Sequence, residues 1–252
     1  MTTETALQQA AAHIRAAKQI AVLTGAGVSK ESGVPTFRNA LDGLWSRYDP
    51  QQLATEAAFM RDPKLVWDWY EYRRGMVRQA QPNPGHVALA ELQRRYPTLR
   101  IITQNVDDLH EQAGSTDVIR LHGNIAASKC SRHCQGSPTL VDVSQITWEH
   151  EKGPPPCPHC GSPLRPDVVW FGEVLPHEQL SRAVILAQIA DVMLVVGTSG
   201  VVMPAAEMPH LAKRNGAVII EVNPGTSEIT ALADIWLNGP SGEMLPRLLE
   251  VL

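Results

Sequence analysis

The sequence predicts an α/β fold in which helices cover both faces of a parallel sheet and a smaller module is inserted into the chain. Three observations lead to this class. Short apolar runs alternate with segments of helical periodicity, as in sheets whose strands are buried on both faces. Glycines follow the first apolar run directly. All four cysteines fall between residues 130 and 160, in a stretch where the alternation stops.

The first half of the chain supplies three predicted strands. An alanine-rich helix over residues 6–18 precedes a strand over 19–23. Asp62 followed by Pro63 is typical of a helix start, and we expect this helix to continue to about Gln79. A further helix over 85–95 leads to strands over 99–103 and 118–121.

The second half begins with residues 126–166, where prolines and glycines break the pattern. A helix over 177–190 then precedes a strand–helix–strand unit over 192–196, 205–215 and 217–222, and a helix over 243–252 closes the chain. We expect a single domain spanning 1–252. Its Rossmann-like large part would comprise 1–35, 95–125 and 167–252. Its small part would be helical over 36–94 and would bind a metal within 126–166.

The bulk composition narrows the class of protein. The 252 residues are 44% hydrophobic and 19% charged, with a formal net charge of −4, which gives no reason to expect direct contact with nucleic acid or an anionic membrane. The first residues lack the basic and apolar regions of a signal peptide, and the longest apolar run is too short to span a bilayer. We expect a cytoplasmic protein and a monomer.

The cysteines are arranged as two close pairs, Cys130 with Cys134 and Cys157 with Cys160. Two such pairs are typical of a structural zinc site. Four thiolates leave the metal no open position for a water, so we expect one structural zinc ion per chain and no catalytic one. The irregular spacing of the first pair leaves open a contribution from His133 or His159.

Polar residues and glycines follow the predicted strands. Because ligands of open parallel sheets bind beyond the carboxyl ends of the strands, these residues are candidates for a binding site. Amide, hydroxyl, carboxylate and backbone groups of this kind suit the phosphates, riboses and carboxamide of a dinucleotide; they are Gly25, Ala26, Gly27, Gln104, Asn105, Asp107, Gly197, Thr198, Ser199, Glu221 and Asn223.

The first glycine loop is ambiguous by itself. The dinucleotide fingerprint has a third glycine at the position where this chain has Lys30. A tight strand-to-helix turn without a ligand is the alternative explanation, because it would need the same first two glycines. His122 stands after another strand and before a glycine. Its pKa range suits a general base near neutral pH, although a lone histidine is more often structural.

Longer motifs settle the interpretation. The chain resembles the sirtuin family over about residue 20 to its C-terminus. The resemblance lies in residues 25–29 (GAGVS), 31–38 (ESGVPTFR), 103–110 (TQNVDDLH), 121–123 (LHG), 169–173 (VWFGE) and 197–199 (GTS), which occur in the family's order. It implies an enzyme that consumes NAD instead of exchanging a hydride with it. Lys30 then fits, because the loop would continue into a mobile cofactor-binding segment through Arg38.

The resemblance also implies a mechanism. The carbonyl oxygen of an acyl-lysine attacks the ribose carbon as nicotinamide leaves, and His122 acts as base on a ribose hydroxyl. Water completes the reaction, and the products are nicotinamide, free lysine and an O-acyl-ADP-ribose. Phe37 would shield the reactive carbon, and Asn105 and Asp107 would hold the nicotinamide end, with Asn105 counted as catalytic. Further expected cofactor contacts are Glu31, Pro35, Thr36, Arg38, Trp45, Pro224, Gly225 and Ser241.

The same resemblance bears on the substrate. An acylated lysine peptide is expected to lie extended beside residues 168–173, contacting Val168, Val169, Phe171, Gly172 and Glu173. Tyr70 and Arg73 share a helix face and resemble the Tyr-x-x-Arg pair of sirtuins that remove succinyl and malonyl groups. Ala58 would leave room for the acyl chain. The neighbouring Arg74 is an alternative to Arg73 for this role. The other alternative is that neither arginine contacts the acyl group and that Arg73 is solvated beside a half-buried Tyr70.

Two other functions remain open at this point. A mono-ADP-ribosyltransferase would keep the NAD residues without a lysine-sized acyl pocket, and a non-catalytic NAD-sensing module would need neither a base nor that pocket. The presence of His122 and of Tyr70 with Arg73 favours a deacylase active on acetyl and short dicarboxylic acyl groups.

Overall fold

A computed structural model of the chain describes residues 2–35 and 49–252, which form two compact units. The first unit comprises residues 2–35, 80–121 and 176–252, and the second comprises the described residues up to 79 together with 122–175. Residues 80–94, expected in the small part, belong to the first unit because the helix they contain packs against the C-terminal helix. Residues 122–125 and 167–175, expected in the large part, belong to the second unit.

The first unit contains a six-stranded, all-parallel sheet. Its strands are β1 (Ile20–Thr24), β2 (Arg100–Thr103), β3 (Ile119–Arg120), β7 (Val192–Val196), β8 (Val218–Asn223) and β9 (Ile235–Asn238). They lie in the order β3-β2-β1-β7-β8-β9. Counting only the strands of this sheet, the order is 3-2-1-4-5-6, which is that of dinucleotide-binding folds and places the switch point between β1 and β7.

Helices cover this sheet: α1 (Thr3–Ala16), α5 (Pro84–Arg95), α6 (Leu109–Gln112), α7 (His177–Ile189), α8 (Glu207–Arg214) and α9 (Ser241–Glu250). The central strands β1 and β7 are buried along their full lengths. Apolar side chains of β1, β7 and β8 pack with those of α1, α5 and α9 into one core. The predicted α/β class and parallel sheet are therefore confirmed, and β9 is an edge strand that the sequence analysis missed.

The second unit combines helices with a small sheet. Its helices are α2 (Pro50–Leu53), α3 (Glu56–Arg61) and α4 (Pro63–Gln79). Its sheet has the order β5-β4-β6, with β4 (Gly123–Cys130), β5 (Leu140–Val141) and β6 (Leu164–Val168) paired antiparallel. Helix α4 starts and ends where the sequence predicted. Within residues 2–35 and 49–252, no helix combines the length and the apolar character that crossing a bilayer requires.

Candidate functional site

The glycine loop after β1 packs directly on the loop after β7. Gly25 N donates to Val196 O (3.0 Å), and Gly27 N donates to Gly197 O (2.8 Å). A Cβ on Gly27 would lie 2.6 Å from that same oxygen, closer than real side chains come, so only glycine permits this contact. Lys30 then opens a short 3₁₀ helix, Lys30–Ser32. The third glycine of the fingerprint is dispensable because no α-helix starts at this point.

A buried hydrogen-bond network joins the predicted nicotinamide-end residues. Asn105 Nδ2 donates to Ser29 Oγ (3.0 Å), and Ser29 Oγ donates to Asp107 Oδ2 (2.9 Å). All three side chains are buried. Burial raises the pKa of Asp107, although its hydrogen bonds from Ser29 and the Leu109 N–H act in the opposite direction. The fold therefore brings Asn105 and Asp107 together, and Ser29 is the connecting residue that the sequence analysis left out.

Two buried histidines, also missed from the sequence, extend this network. His86 Nε2 lies 3.4 Å from Ser29 Oγ, and its Nδ1 accepts from Asn83 N (3.3 Å). His110 Nε2 lies 3.0 Å from Thr24 Oγ1. Burial lowers the pKa of His86 to about 4. Burial, together with the nearby His86 and Arg120, lowers the pKa of His110 to about 3. Both rings are therefore neutral at physiological pH.

The predicted ribose-binding residues gather after β7 and β8. Asn223 Nδ2 donates to Thr198 O (3.0 Å), and Gln104 Nε2 donates to Thr198 Oγ1 (3.1 Å). Glu221 is buried, and its Oε2 has no hydrogen-bond partner among the residues that the structure describes. A buried acceptor of this kind calls for a donor such as a ribose hydroxyl. The donor set around the switch point thus fits a dinucleotide. Exposed residues complete this edge, namely Ser199, Pro224 and Gly225.

Two of the predicted cofactor contacts bind each other. Glu31 Oε2 accepts from Gly242 N (2.8 Å) and from Ser241 Oγ (3.3 Å). The carboxylate therefore caps the N-terminus of α9, where negative charge is stabilised. This internal cap gives Glu31 and Ser241 a structural role, and their contact with the cofactor remains a prediction. Pro35 is half-buried. Thr36, Phe37, Arg38 and Trp45 lie outside the described residues.

The four cysteines of the second unit converge on one point. Their Sγ atoms all lie within 4.8 Å of one another. The Sγ atoms of Cys130 and Cys160 are 3.5 Å apart, and those of Cys134 and Cys157 are 3.8 Å apart. Tetrahedral zinc with bonds of about 2.3 Å requires sulfur–sulfur separations of roughly 3.8 Å. The cluster therefore fits a structural zinc ion, and neither His133 nor His159 belongs to it.

His122 lies directly before β4 and is half-buried. Its carbonyl oxygen accepts from Val169 N (3.0 Å). Gly123, the next residue, has φ +82°, and a Cβ there would lie 2.1 Å from Asp167 O. Only glycine can follow His122, because β4 and β6 approach too closely for a side chain. The backbone of His122 is consequently fixed by a strand pair.

Tyr70 and Arg73 lie in an aromatic cluster of the second unit. Tyr70 is 2% exposed and Arg73 is 8% exposed, so the alternative of a solvated arginine is wrong. The Tyr70 ring packs edge-on to Trp69, and the Arg73 guanidinium lies 5.1 Å from the centre of the Trp69 ring. Burial lowers the pKa of Arg73, because removal from water disfavours the charged form of the side chain. Ala58 is also buried in this unit.

Arg74 differs from its neighbour because it holds α4 against β4. Its Nε donates to Ile125 O (2.6 Å), and one terminal nitrogen donates to Ala127 O (2.8 Å) and Ser128 Oγ (2.9 Å). The other terminal nitrogen pairs with Glu71. All three nitrogens of Arg74 are thus engaged by groups of the second unit.

The expected substrate-facing stretch, residues 168–173, is extended only at its start. Val168 ends β6, and Glu173 N donates to Trp170 O (3.0 Å), which closes a turn. The Glu173 carboxylate accepts from Trp170 N (2.8 Å) and pairs with buried Arg165. Phe171 N donates to Ala54 O (2.9 Å). The chain itself therefore turns from Trp170 onward, and the expected contacts of a substrate peptide with Val168, Val169, Phe171, Gly172 and Glu173 remain a prediction.

A parallel sheet with its glycine loops at the switch point, in a chain that also carries a four-cysteine cluster, defines a nucleotide-binding α/β protein with a zinc-binding module. The Sir2 family matches residues 25–204. The chain is 53% identical over 227 residues to an NAD-dependent protein deacylase of Pyrococcus furiosus, covering 90% of each. The chain therefore belongs to the Sir2 family.

Solved structures agree with this assignment. A Sir2 homologue in complex with NAD has a TM-score of 0.87 and 46% identity, with 96% of this chain and 92% of that chain covered. A complex described as Sir2, p53 peptide and NAD⁺ has a TM-score of 0.84 and 33% identity, with 96% of each chain covered.

Proposed function

We propose that this Sir2 protein is an NAD-dependent protein-lysine deacylase that removes succinyl and malonyl groups as well as acetyl groups. The family membership and the relatives named as NAD-dependent protein deacylases support the general activity. The observation that carries the finer proposal is the buried pair of Tyr70 and Arg73. A phenol hydroxyl and a guanidinium in a desolvated setting suit the distal carboxylate of a dicarboxylic acyl chain.

Residues of the first unit would bind NAD. The backbone of the loops after β1 and β7 would hold the pyrophosphate near Ala26, Gly27 and Ser199. Glu221 would accept a hydrogen bond from a ribose hydroxyl, and Asn223 would donate one to a ribose oxygen. NAD, when bound, supplies a glycosidic bond whose cleavage releases nicotinamide. Asn105, held by Ser29, and Asp107 would orient the nicotinamide end.

Residues of the second unit would handle the acyl-lysine and the proton. His122, with its backbone fixed by β4 and β6, would take a proton from a ribose hydroxyl. Arg73 would pair with the acyl carboxylate, and burial of that pair strengthens the interaction. The substrate backbone would lie beside Val168 and Val169. The four thiolates would hold zinc as a structural ion, without a water to activate.

The direct test measures nicotinamide release and peptide deacylation together. Purified protein is incubated with NAD and matched acetyl-, succinyl- and malonyl-lysine peptides, and deacylated peptide is quantified by mass spectrometry. We expect NAD-dependent deacylation of all three. Deacetylation without desuccinylation would contradict the finer proposal. Nicotinamide release with ADP-ribose attached to protein, and no deacylation, would instead favour a mono-ADP-ribosyltransferase.

A further inference from the structure

Trp170 and Tyr70 share a hydrogen bond inside the second unit. Trp170 Nε1 lies 2.9 Å from Tyr70 Oη, and both side chains are only 2% exposed. An indole N–H has a proton to give and no lone pair to offer. The direction of this bond is therefore unambiguous: the indole donates and the phenol oxygen accepts.

Because Tyr70 accepts in that bond, its hydroxyl can still donate its own proton. Of the residues that the structure describes, none accepts a hydrogen bond from this hydroxyl. Burial raises the pKa of Tyr70 to about 12, against the lowering effect of Arg73 and of the Trp170 hydrogen bond. The phenol consequently keeps its proton at neutral pH. A buried hydroxyl that already accepts one bond is completed by an acceptor.

The indole of Trp170 also contacts two other side chains. The guanidinium of Arg165 lies 3.2 Å from the centre of the Trp170 ring, and the Phe59 ring lies 5.3 Å away. Arg165 is in turn fixed by the Glu173 carboxylate and by Val168 O (2.8 Å). The ring that donates to Tyr70 is thus stacked against a guanidinium whose own position is set by an ion pair and a backbone contact.

We propose that Trp170 is a positioning residue for acyl specificity, which occupies the acceptor side of Tyr70 and thereby makes Tyr70 a donor toward the distal end of the acyl chain. This inference rests on the proposed function. It adds a requirement that a positive charge alone would not impose. The distal group must offer an acceptor oxygen, so a carboxylate and a carboxamide both satisfy Tyr70, whereas only the carboxylate satisfies Arg73 by charge.

The experiment compares lysine peptides bearing acetyl, succinyl or succinamoyl groups, the last being the distal carboxamide counterpart of succinyl. Steady-state kcat and KM are measured for wild type, Trp170→Phe, Tyr70→Phe, Arg73→Met and the double variant of Trp170 and Tyr70. Phe59→Leu is the matched control, because it removes a ring contact with Trp170 and leaves the hydrogen bond intact. Thermal melts monitor folding.

Trp170→Phe should raise KM for the succinyl and succinamoyl peptides by about five-fold, the scale of one neutral hydrogen bond, and change acetyl kinetics by less than about two-fold. In the Tyr70→Phe background, Trp170→Phe should not raise the KM for these peptides any further. Arg73→Met should affect the succinyl peptide far more than the succinamoyl peptide. Phe59→Leu should leave the ratio of succinyl to acetyl activity unchanged.

An equal effect of Trp170→Phe on all three peptides, or the same effect in the Tyr70→Phe background, would mean that Trp170 only packs. If wild type fails on succinyl-lysine, the proposed function itself is wrong. If Arg73→Met leaves the ratio of succinyl to acetyl activity unchanged, Arg73 does not read the acyl group. Should Trp170→Phe not fold, 3-benzothienylalanine at position 170 replaces the N–H by sulfur at nearly constant shape and is subject to the same expectations.

Discussion

Two adjacent arginines of α4 have different surroundings. Arg74 donates to backbone and hydroxyl groups that belong to β4, whereas Arg73 lies over Trp69 in the aromatic cluster. Arg73→Met should lower kcat/KM for succinyl-lysine by roughly ten- to a hundred-fold, because a charge-assisted hydrogen bond contributes about 1.5–3 kcal/mol. Acetyl-lysine has no carboxylate to lose, so its kcat/KM should fall much less. Tyr70→Phe should give a milder version.

The control for this comparison is Arg78→Met. Arg78 belongs to the same helix and its side chain is 68% exposed, so its loss should leave both activities unchanged. Arg74→Met is unsuitable, since it would strand buried acceptors and destabilise the unit. Matched falls on both peptides for Arg73→Met would show that this residue supports α4 and does not read the acyl group.

His122 is expected to act in turnover and not in binding. His122→Ala should leave NAD affinity largely intact and reduce kcat by roughly 100-fold or more, the usual scale for a lost general base. NAD affinity is measured by calorimetry and kcat by peptide deacylation. His177→Ala, which changes an exposed histidine, is the control. Near-normal turnover of His122→Ala at neutral pH would remove His122 from the mechanism.

At the scale of single residues, the sequence predicts those candidate site residues that form a pattern over a few neighbouring positions. The paired cysteines and the Tyr70–Arg73 spacing can be recognised in the sequence because each pattern is short. Ser29, His86 and Trp170 were not assigned roles, because their hydrogen bonds join segments that are distant in the chain. Ser29 and Trp170 lie within the motifs at residues 25–29 and 169–173, whereas His86 lies in none of the motifs.

The zinc cluster ties together the elements of the small sheet. Cys130 ends β4, and Cys130 and Cys157 pack with Leu164 of β6 and Trp67 of α4. Purified protein should contain about one zinc ion per chain. Cys157→Ala should lose that zinc and lower the melting temperature by several degrees, since a structural metal contributes to folding free energy. Elemental analysis and thermal melts check both results.

His159→Ala is the matched variant for this prediction. His159 lies between Cys157 and Cys160 in sequence but is not part of the cluster, so zinc content and melting temperature should stay close to wild type. Well-folded and active wild-type protein without zinc would refute the structural role.

Elements with a strong apolar period were predictable, and those defined by pairing were not. The buried strands β1, β2, β7 and β8 follow the predicted runs within a residue or two. β4 lacks such a run: it contains small and polar residues, and its register with β6 shifts between Asn124 and Ser128. β9 has four residues and follows a loop. Long-range partners, and not local propensity, define both strands.

Over the whole molecule, His86 and His110 make stability depend on pH. Their pKa values, lowered from 6.5 to about 4 and about 3, mean that the unfolded chain binds protons more readily. The stability of the fold that depends on these two neutral rings is fully present above about pH 6.5. It is lost as the pH falls toward the folded-state pKa values. At pH 5 each should lower the free energy of unfolding by about 2 kcal/mol relative to neutral pH.

Urea unfolding at pH 7.5 and at pH 5.0 tests this dependence. His110→Gln removes one titrating group, so the loss of stability between the two pH values should be smaller than in wild type, even if the variant is less stable at pH 7.5. His177→Gln should keep the wild-type difference, because its ring is exposed. Equal differences for wild type and His110→Gln would contradict the assignment of the buried histidines as the source.

The strand order also determines when the chain can fold during synthesis. β1 is flanked by β2 on one side and by β7 on the other, and Ile20 pairs with Val192. While the ribosome makes the segments in between, one edge of β1 has no native neighbour. An exposed, largely apolar strand edge is prone to pair with other chains. The yield of folded protein should therefore depend on chaperone capacity and on slow translation more than the stability of the folded protein would suggest. Fragments that end before β7 should aggregate.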